Sequence, residues 1–183
     1  ACAIYMMGKG KLKDNTVVTT VMANIGFHKA IKENGGRTEI TAVGDRYVLE
    51  NMLANGYNLG GEQSGHIIFT DFSTTGDGPV TALQVLSYLK RTRHKASAIT
   101  KIMTSYPQLL VNVKVATKDG WEDNEAIKAS IEEGKQQLGE NGRILVRPSG
   151  TEPLIRVMAE GPDQKELEEI CYKIADVVKV QQG

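Results

Sequence analysis

The strongest constraint on the fold is the alternation of β-branched segments with amphipathic helical segments along the chain. Thr16 to Val21 is rich in valine and threonine and predicts a strand, and the apolar residues from Ile25 onward predict a short helix that ends at Gly35. Arg37 to Val43 predicts the next strand. The pattern then continues with a helix capped by Asp45 that ends before Gly56, two short strands at 58–62 and 66–70, and a helix from Asp77 to about Arg91.

A second block of alternating elements begins near Pro107. The predicted elements are a strand at 109–115, a helix at 122–138, strands at 142–147 and 154–159, and a last helix that Asp163 and Glu166 open as a capping-box-like pair. The order β-α-β-α-β-β-α followed by β-α-β-β-α predicts two small α/β domains joined near residues 92–107. We place the domains at 1–98 and 99–183.

Composition excludes several classes of protein. The chain has 183 residues with 22 Lys and Arg against 22 Asp and Glu, so its net charge is zero and a basic nucleic-acid-binding face is not expected. Its longest apolar runs are a few residues, far below the ~20 that cross a bilayer. The two cysteines form neither a disulfide framework nor a zinc site. We expect a cytoplasmic protein, and because the chain begins with Ala1 inside an apolar helical segment, a piece of a longer one.

Polar residues at 147–153 stand between two predicted strands and lack a packing explanation. A turn there presents the amides of Ser149, Gly150 and Thr151 and the guanidinium of Arg147 to one small volume. Successive turn amides bind anions, and arginine forms bidentate hydrogen bonds with phosphate. Arg156 on the following strand adds a second positive charge. An ordinary polar hairpin loop is an equally good interpretation of this spacing.

Glycines surround a second polar segment at residues 60–66. Glu62 can accept hydrogen bonds from two sugar hydroxyls, Ser64 can donate or accept, and His66 can move a proton near neutral pH. A glycine-rich turn with a solvated glutamate is the somewhat better interpretation on spacing alone.

A third segment has a cation at a predicted helix start. Asp45 is expected to cap that helix, but Arg46 beside it is disfavoured by the helix dipole unless an anion lies in front of it. The sequence contains no GxxxxGK[ST], GxGxxG, HExxH or GxSxG motif. The segment 74–78 has too few carboxylates to hold Mg²⁺ by itself.

The motifs GGEQSGHIIF (60–69), TTGDG (74–78) and RPSGTEPLIRVMAEG (147–161), in that order, resemble the α-D-phosphohexomutase superfamily. The likeness covers essentially the whole chain, and within the superfamily it favours the branch that interconverts glucosamine 6-phosphate and glucosamine 1-phosphate for cell-wall precursor synthesis. It implies a third domain of mixed α/β sandwich type followed by a fourth, TATA-box-binding-protein-like α+β domain. A mutase for another hexose, such as a phosphomannomutase or phosphoglucomutase, and a non-catalytic sugar-phosphate-binding module remain the alternatives.

The resemblance also implies roles for individual residues. It assigns Glu62 and Ser64 to sugar hydroxyls, Asp45 and Arg46 to a second substrate loop, and His66 to the neighbourhood of the reacting centre as a candidate catalytic residue. The implied phosphate clamp comprises Arg147, Ser149, Gly150, Thr151 and Arg156.

The family also uses Mg²⁺, a phosphoserine and a sugar bisphosphate intermediate. The phosphoserine loop and the Asp-rich metal loop of the family have no counterpart in these 183 residues, so no metal ligand is assigned here. We expect the missing N-terminal domains of the same polypeptide to supply both loops, a possible homodimer in the full-length enzyme, and an isolated chain that does not catalyse phosphoryl transfer.

Overall fold

The structure is a computed structural model that describes residues 1–99 and 101–183 in full and only the backbone of Thr100. It divides the chain into two compact units, Ala1–Ser105 and Tyr106–Gly183. The division lies within the expected joining stretch and seven residues beyond the predicted boundary at 98/99. The segment up to Thr104 packs with the first unit, because the carbonyl of Thr104 approaches Gly26 so closely that a side chain there would collide with it.

The first unit contains a mixed four-stranded sheet and four α-helices. The elements in chain order are α1 Cys2–Gly8, β1 Thr16–Thr20, α2 Ile25–Glu33, β2 Arg37–Thr41, α3 Asp45–Asn55, β3 Leu59–Gly61, β4 Ile67–Phe69 and α4 Gly78–Thr92. The strand order is β2-β1-β3-β4, with β1 parallel to both of its neighbours and β4 antiparallel to β3. The parallel pairs are connected through α2 and α3, as parallel strands require a crossover.

Helices cover both faces of this sheet. On one face Ile31 of α2 and Ala3 of α1 pack with Val17 and Phe69, and on the other face Val48 and Met52 of α3 pack with Val18 and Ile68. Successive residues of β1 therefore point to opposite helical layers, which is why Val17 and Val18 are both buried. The unit is an α/β/α sandwich, and the predicted fold type is confirmed.

The second unit is a two-layer α+β domain. Its elements are β5 Gln108–Lys114, α5 Glu125–Leu138, β6 Arg143–Pro148, β7 Leu154–Glu160 and α6 Gln164–Gln182. The sheet is antiparallel with the order β5-β7-β6. Alternate residues of β7, such as Ile155 and Val157, pack against Ile170 and Ile174 of α6. The core formed with the helices thus lies on one face of the sheet, and the other face of β7 bears Arg156 together with the buried Met158 and Glu160.

The observed elements are shorter than several predicted ones. The strand predicted to reach Val43 ends at Thr41, where pairing with β1 stops. The helix predicted from residue 122 begins at Glu125, because the side chain of Asn124 caps it and accepts hydrogen bonds from the backbone N–H groups of Ala126 and Ile127. β-branched composition indicates where a strand can form, whereas the pairing partner determines where it ends.

Every helix that the structure describes is too short or too polar to span a lipid bilayer.

Candidate functional site

The turn between β3 and β4 is closed by two backbone hydrogen bonds. The N–H of Glu62 donates to the carbonyl of His66 over 2.9 Å, and the N–H of Gly65 donates to the carbonyl of Glu62 over 3.1 Å. Gly65 has a φ of 98°, a backbone conformation that glycine adopts without a Cβ clash. The turn thereby brings the side chains at 62, 64 and 66 to one side of a short hairpin.

Glu62, Ser64 and His66 form one polar cluster. Ser64 Oγ lies 3.2 Å from His66 Nδ1 and 3.5 Å from Glu62 Oε2, and His66 Nδ1 lies 3.9 Å from the same carboxylate oxygen. The side chain of Glu62 is only 10% exposed, whereas that of His66 is 58% exposed. A buried carboxylate beneath an exposed hydroxyl and imidazole suits the recognition of small polar ligands.

The segment before α3 is joined to this cluster by its backbone. Glu62 Oε1 accepts a hydrogen bond of 3.0 Å from the N–H of Gly44. Gly44 is the N-cap of α3, with a φ of 134° that favours glycine, so the prediction that Asp45 caps the helix is wrong. Asp45 is the first helical residue, and its exposed carboxylate lies at the favourable end of the helix dipole.

Arg46 has a partner on its own helix. Its Nε donates to Glu50 Oε1 over 2.7 Å, which raises the pKa of the guanidinium, and its side chain is 82% exposed. This i,i+4 ion pair accounts for an arginine in the first turn of α3 without a bound anion. The inference that Arg46 requires an anion in front of it therefore loses its support.

The 74–78 segment contacts the cluster at His66. A Cβ at Gly76 would lie 3.3 Å from the Cβ of His66, so this glycine packs against the histidine. Asp77 caps α4 and accepts a 2.8 Å hydrogen bond from the N–H of Val80. The carboxylate of Asp77 is thus used in helix capping.

The loop between β6 and β7 forms the second cluster, in the second unit. Ser149 is buried; its N–H donates to the carbonyl of Leu154 over 2.9 Å, and its Oγ accepts from the N–H of Glu152 over 3.3 Å. Gly150 and Thr151 are exposed, and within the described part of the chain their N–H groups donate no hydrogen bond. The loop therefore presents two available donors from a backbone that Ser149 fixes.

Two guanidinium groups lie next to this loop. Arg147 of β6 and Arg156 of β7 are directly paired across the sheet, where like charges destabilise each other. Partial burial, and secondly the charge of Arg156, lower the pKa of Arg147. Arg156 donates to the exposed Glu152 over 3.4 Å, while its buried Nε makes no hydrogen bond with any residue that the structure describes. The two guanidinium groups outnumber the carboxylate of Glu152, so the charge beside the loop is positive.

Lys118, which is not predicted as a site residue from the sequence, contacts the same loop. Its Nζ donates to the carbonyl of Ser149 over 2.8 Å from the segment that follows β5. No local pattern marks this lysine, because its partner lies 31 residues away along the chain. Only the pairing of β5 with β7 brings the two segments together.

A metal site is not evident among the described residues. Across residues 1–99 and 101–183, no group of three or more His, Cys, Asp or Glu side chains is placed to hold a metal ion. The residues present therefore do not fit the Mg²⁺ that the resemblance implies.

Comparison with known proteins identifies the family of the chain. Residues 1–106 match the family model for the α/β/α domain III of phosphoglucomutase/phosphomannomutase, and residues 110–177 match the model for its C-terminal domain. A phosphoglucosamine mutase of Brevibacillus brevis is 57% identical over 180 residues, which cover 98% of this chain. The chain spans about 40% of the length of that relative.

Solved structures show the same fold. An N-acetylphosphoglucosamine mutase of Aspergillus fumigatus superposes with a TM-score of 0.81 at 21% identity, covering 99% of this chain and 42% of that one. The structure of that enzyme in complex with GlcNAc-6P and magnesium gives a TM-score of 0.78 at 21% identity and covers 100% of this chain and 43% of its own. At this identity the likeness establishes the architecture of the two units.

Proposed function

The chain belongs to the phosphoglucomutase/phosphomannomutase family, and on that premise we propose that it forms the sugar- and phosphate-binding part of an enzyme that interconverts glucosamine 6-phosphate and glucosamine 1-phosphate. The 57% identity to a phosphoglucosamine mutase supports an amino sugar as the substrate. In this proposal the first unit binds sugar hydroxyls and the second unit binds phosphate.

The pairing of Arg147 with Arg156 is the observation that carries the phosphate assignment. Two guanidinium groups directly opposite each other, one with a lowered pKa, are stabilised when an anion lies between or beside them. The N–H groups of Gly150 and Thr151 and the buried Nε of Arg156 are further donors for that anion. An ordinary hairpin loop does not require two arginines in register at its base.

The turn cluster of the first unit supports the sugar assignment. Glu62 Oε1 is occupied by the N–H of Gly44, which leaves Oε2 with lone pairs for a ligand hydroxyl. Ser64 Oγ and the exposed His66 ring lie beside Oε2 and add a second polar contact. We assign Glu62 and Ser64 to hydroxyl recognition and His66 to the region of proton transfer. Asp45 and Arg46 are assigned to the substrate loop of this unit on the resemblance alone.

Titration calorimetry with glucosamine 6-phosphate tests both assignments. Arg147→Ala removes a charge-assisted contact and is expected to weaken binding about ten-fold or more, a cost of roughly 1.5–3 kcal/mol. Glu62→Ala is expected to weaken binding through lost hydroxyl contacts. Arg91→Ala and Glu168→Ala are matched controls that remove the same charges at exposed helix positions. Binding by the wild type that neither site variant alters would contradict the assignments.

The choice of sugar is tested by the same titration with glucose 6-phosphate and mannose 6-phosphate. An enzyme for amino sugars binds glucosamine 6-phosphate more tightly than the other two. Equal or reversed affinities would support the alternatives, a mutase for another hexose or a general sugar-phosphate-binding module.

Catalysis requires groups that these 183 residues do not supply. The A. fumigatus enzyme has been solved with magnesium, whereas the described residues of this chain hold no metal-ligand group. We assign the phosphoserine, the Mg²⁺ site and the bisphosphate exchange to the rest of a longer polypeptide. The 183-residue chain is accordingly expected to show no turnover in a coupled mutase assay, and measurable turnover would overturn this division of roles.

A further inference from the structure

We propose that Lys118 is a positioning residue for the phosphate loop: by holding the carbonyl of Ser149, it orients the N–H of Gly150 toward the bound anion. The inference rests on the proposed function, since it names a further residue of the same phosphate site. It assigns Lys118 a role through the backbone and not through contact with the ligand.

The planarity of the peptide unit is the first step of the argument. The Ser149 carbonyl and the Gly150 N–H belong to one trans peptide group, because no cis peptide occurs among the described residues. In a trans peptide the C=O and N–H bonds point in opposite directions. Lys118 Nζ, 2.8 Å from the carbonyl oxygen, therefore fixes the direction in which the Gly150 N–H points, away from the lysine.

The segment that leads into Lys118 is itself fixed by two backbone hydrogen bonds. The N–H of Val115 donates to the carbonyl of Pro153 over 3.1 Å, and the N–H of Ala116 donates to the carbonyl of Gln182 over 2.8 Å. The segment is thus held by the far end of the loop and by the last turn of α6. A lysine on such a segment can hold a carbonyl in a defined place.

The charge of Lys118 adds to its geometric effect. An ammonium group bonded to a carbonyl withdraws electron density from the peptide and makes its N–H a stronger donor. Lys118 is also a further cation beside a loop that already has Arg147 and Arg156 at its base. A neutral donor would satisfy the Ser149 carbonyl equally well, so a cation at this position is best explained by an anionic ligand.

The test is an NMR titration of the ¹⁵N-labelled 183-residue chain with inorganic phosphate. The amide signals of Gly150 and Thr151 report the binding. Lys118→Met is expected to weaken phosphate binding about five-fold and to reduce the shift of the Gly150 amide proton at saturation. Lys118→Arg, which restores a charged donor, recovers most of the affinity. Lys165→Met is the charge-matched control, because Lys165 follows the opposite end of β7. Urea unfolding of each variant confirms that the fold is retained.

Three results would overturn the inference. The first is that Lys118→Met binds phosphate with wild-type affinity. The second is that Lys165→Met loses as much phosphate affinity as Lys118→Met, which would indicate a general charge effect. The third is that the Gly150 amide signal of the wild type does not respond to phosphate. If Lys118→Met does not fold, Lys118→Ala takes its place, because it also removes both the charge and the hydrogen-bond donor. Failure of the proposed function gives a different result from failure of this inference. In that case the chain binds glucosamine 6-phosphate and inorganic phosphate with equal affinity, in the wild type and in the Lys118 variants alike.

Discussion

The backbone N–H of Gly44 donates to Glu62 Oε1 over 3.0 Å. Gly44 precedes α3 and Glu62 follows β3, so the hydrogen bond joins two different loops. A single carboxylate therefore joins the two loops of the first unit that bear candidate ligand residues. One of its oxygens holds the scaffold and the other faces Ser64 and His66. The structural role of Glu62 and its proposed role in recognition can be separated because they use different atoms.

Glu62→Gln and Glu62→Ala are expected to behave differently. Glutamine retains an acceptor for the Gly44 N–H, so the free energy of unfolding should stay within about 0.5 kcal/mol of the wild type, while alanine costs about 1 kcal/mol. Both lose affinity for glucosamine 6-phosphate. Urea unfolding and calorimetry on the same samples measure the two effects. Equal stability of the two variants would show that the Gly44 contact contributes nothing.

Gly60 of β3 leaves no room for a side chain. A Cβ there would lie 2.5 Å from Met52 Sδ and 2.7 Å from Val48 Cγ1. Gly60→Ala is expected to destabilise the first unit by about 1–3 kcal/mol through overpacking, measured by thermal unfolding. Gly150→Ala is the control, because a Cβ at that position meets no atom within 4 Å, and its stability should change by less than about 0.5 kcal/mol.

Arg143 and Glu160 form a buried ion pair across β6 and β7. Their Nε–Oε2 distance is 2.6 Å, and the side chain of Glu160 is 0% exposed. Arg143→Met leaves a buried carboxylate without this partner and should lower the free energy of unfolding by about 3–5 kcal/mol.

A double variant and an exposed pair serve as controls for that prediction. Adding Glu160→Leu to Arg143→Met removes the buried charge and should recover much of the stability. Lys173→Met breaks an exposed ion pair with Glu133 and should cost less than about 1 kcal/mol. If the double variant is no more stable than Arg143→Met, the buried charge is not the cause.

The thiol of Cys171 should make stability depend on pH in the alkaline range. Burial raises its pKa from 9.0 to about 11, so the folded state binds the proton more tightly than the unfolded state. The contribution is complete below pH 9 and is lost as the pH rises toward 11, about 2 kcal/mol between pH 8 and 10.5. Urea unfolding at both pH values measures it, and Cys171→Ala should remove this part of the decrease. A parallel decrease in both proteins would refute the assignment.

Local sequence patterns predicted the elements well because each strand and helix has its own periodicity. Val17 and Val18, for example, predict a strand from their branching alone, and their burial on both sides of the sheet agrees with it. Caps and partners were less predictable. Gly44 caps α3 because it can adopt a positive φ, and Arg46 pairs with Glu50 one helical turn away, so neither Asp45 nor a ligand is needed to explain them.

Local sequence patterns are limited in the same way for the candidate site residues. Glu62, Ser64 and His66 lie on one turn, so their proximity follows from their spacing. Arg147 and Arg156 become partners through the register of a hairpin. Lys118 reaches Ser149 only through tertiary packing, and no local pattern contains that information. The boundary between the two units depends likewise on the packing of Thr104 against Gly26.

Two of the candidate binding segments, 62–66 and 149–153, are the turns of antiparallel hairpins, β3–β4 and β6–β7. At the turn ends of these hairpins the paired residues are close in sequence, Gly61 with Ile67 and Pro148 with Ile155. The pairing of β1 with β3 instead joins residues that are far apart in sequence, Val18 and Gly60. Contacts of low sequence separation have a small loop-closure cost and form on the microsecond scale. The candidate ligand-binding turns can therefore accept new side chains in evolution without disturbing the slower, long-range strand pairings on which each unit depends.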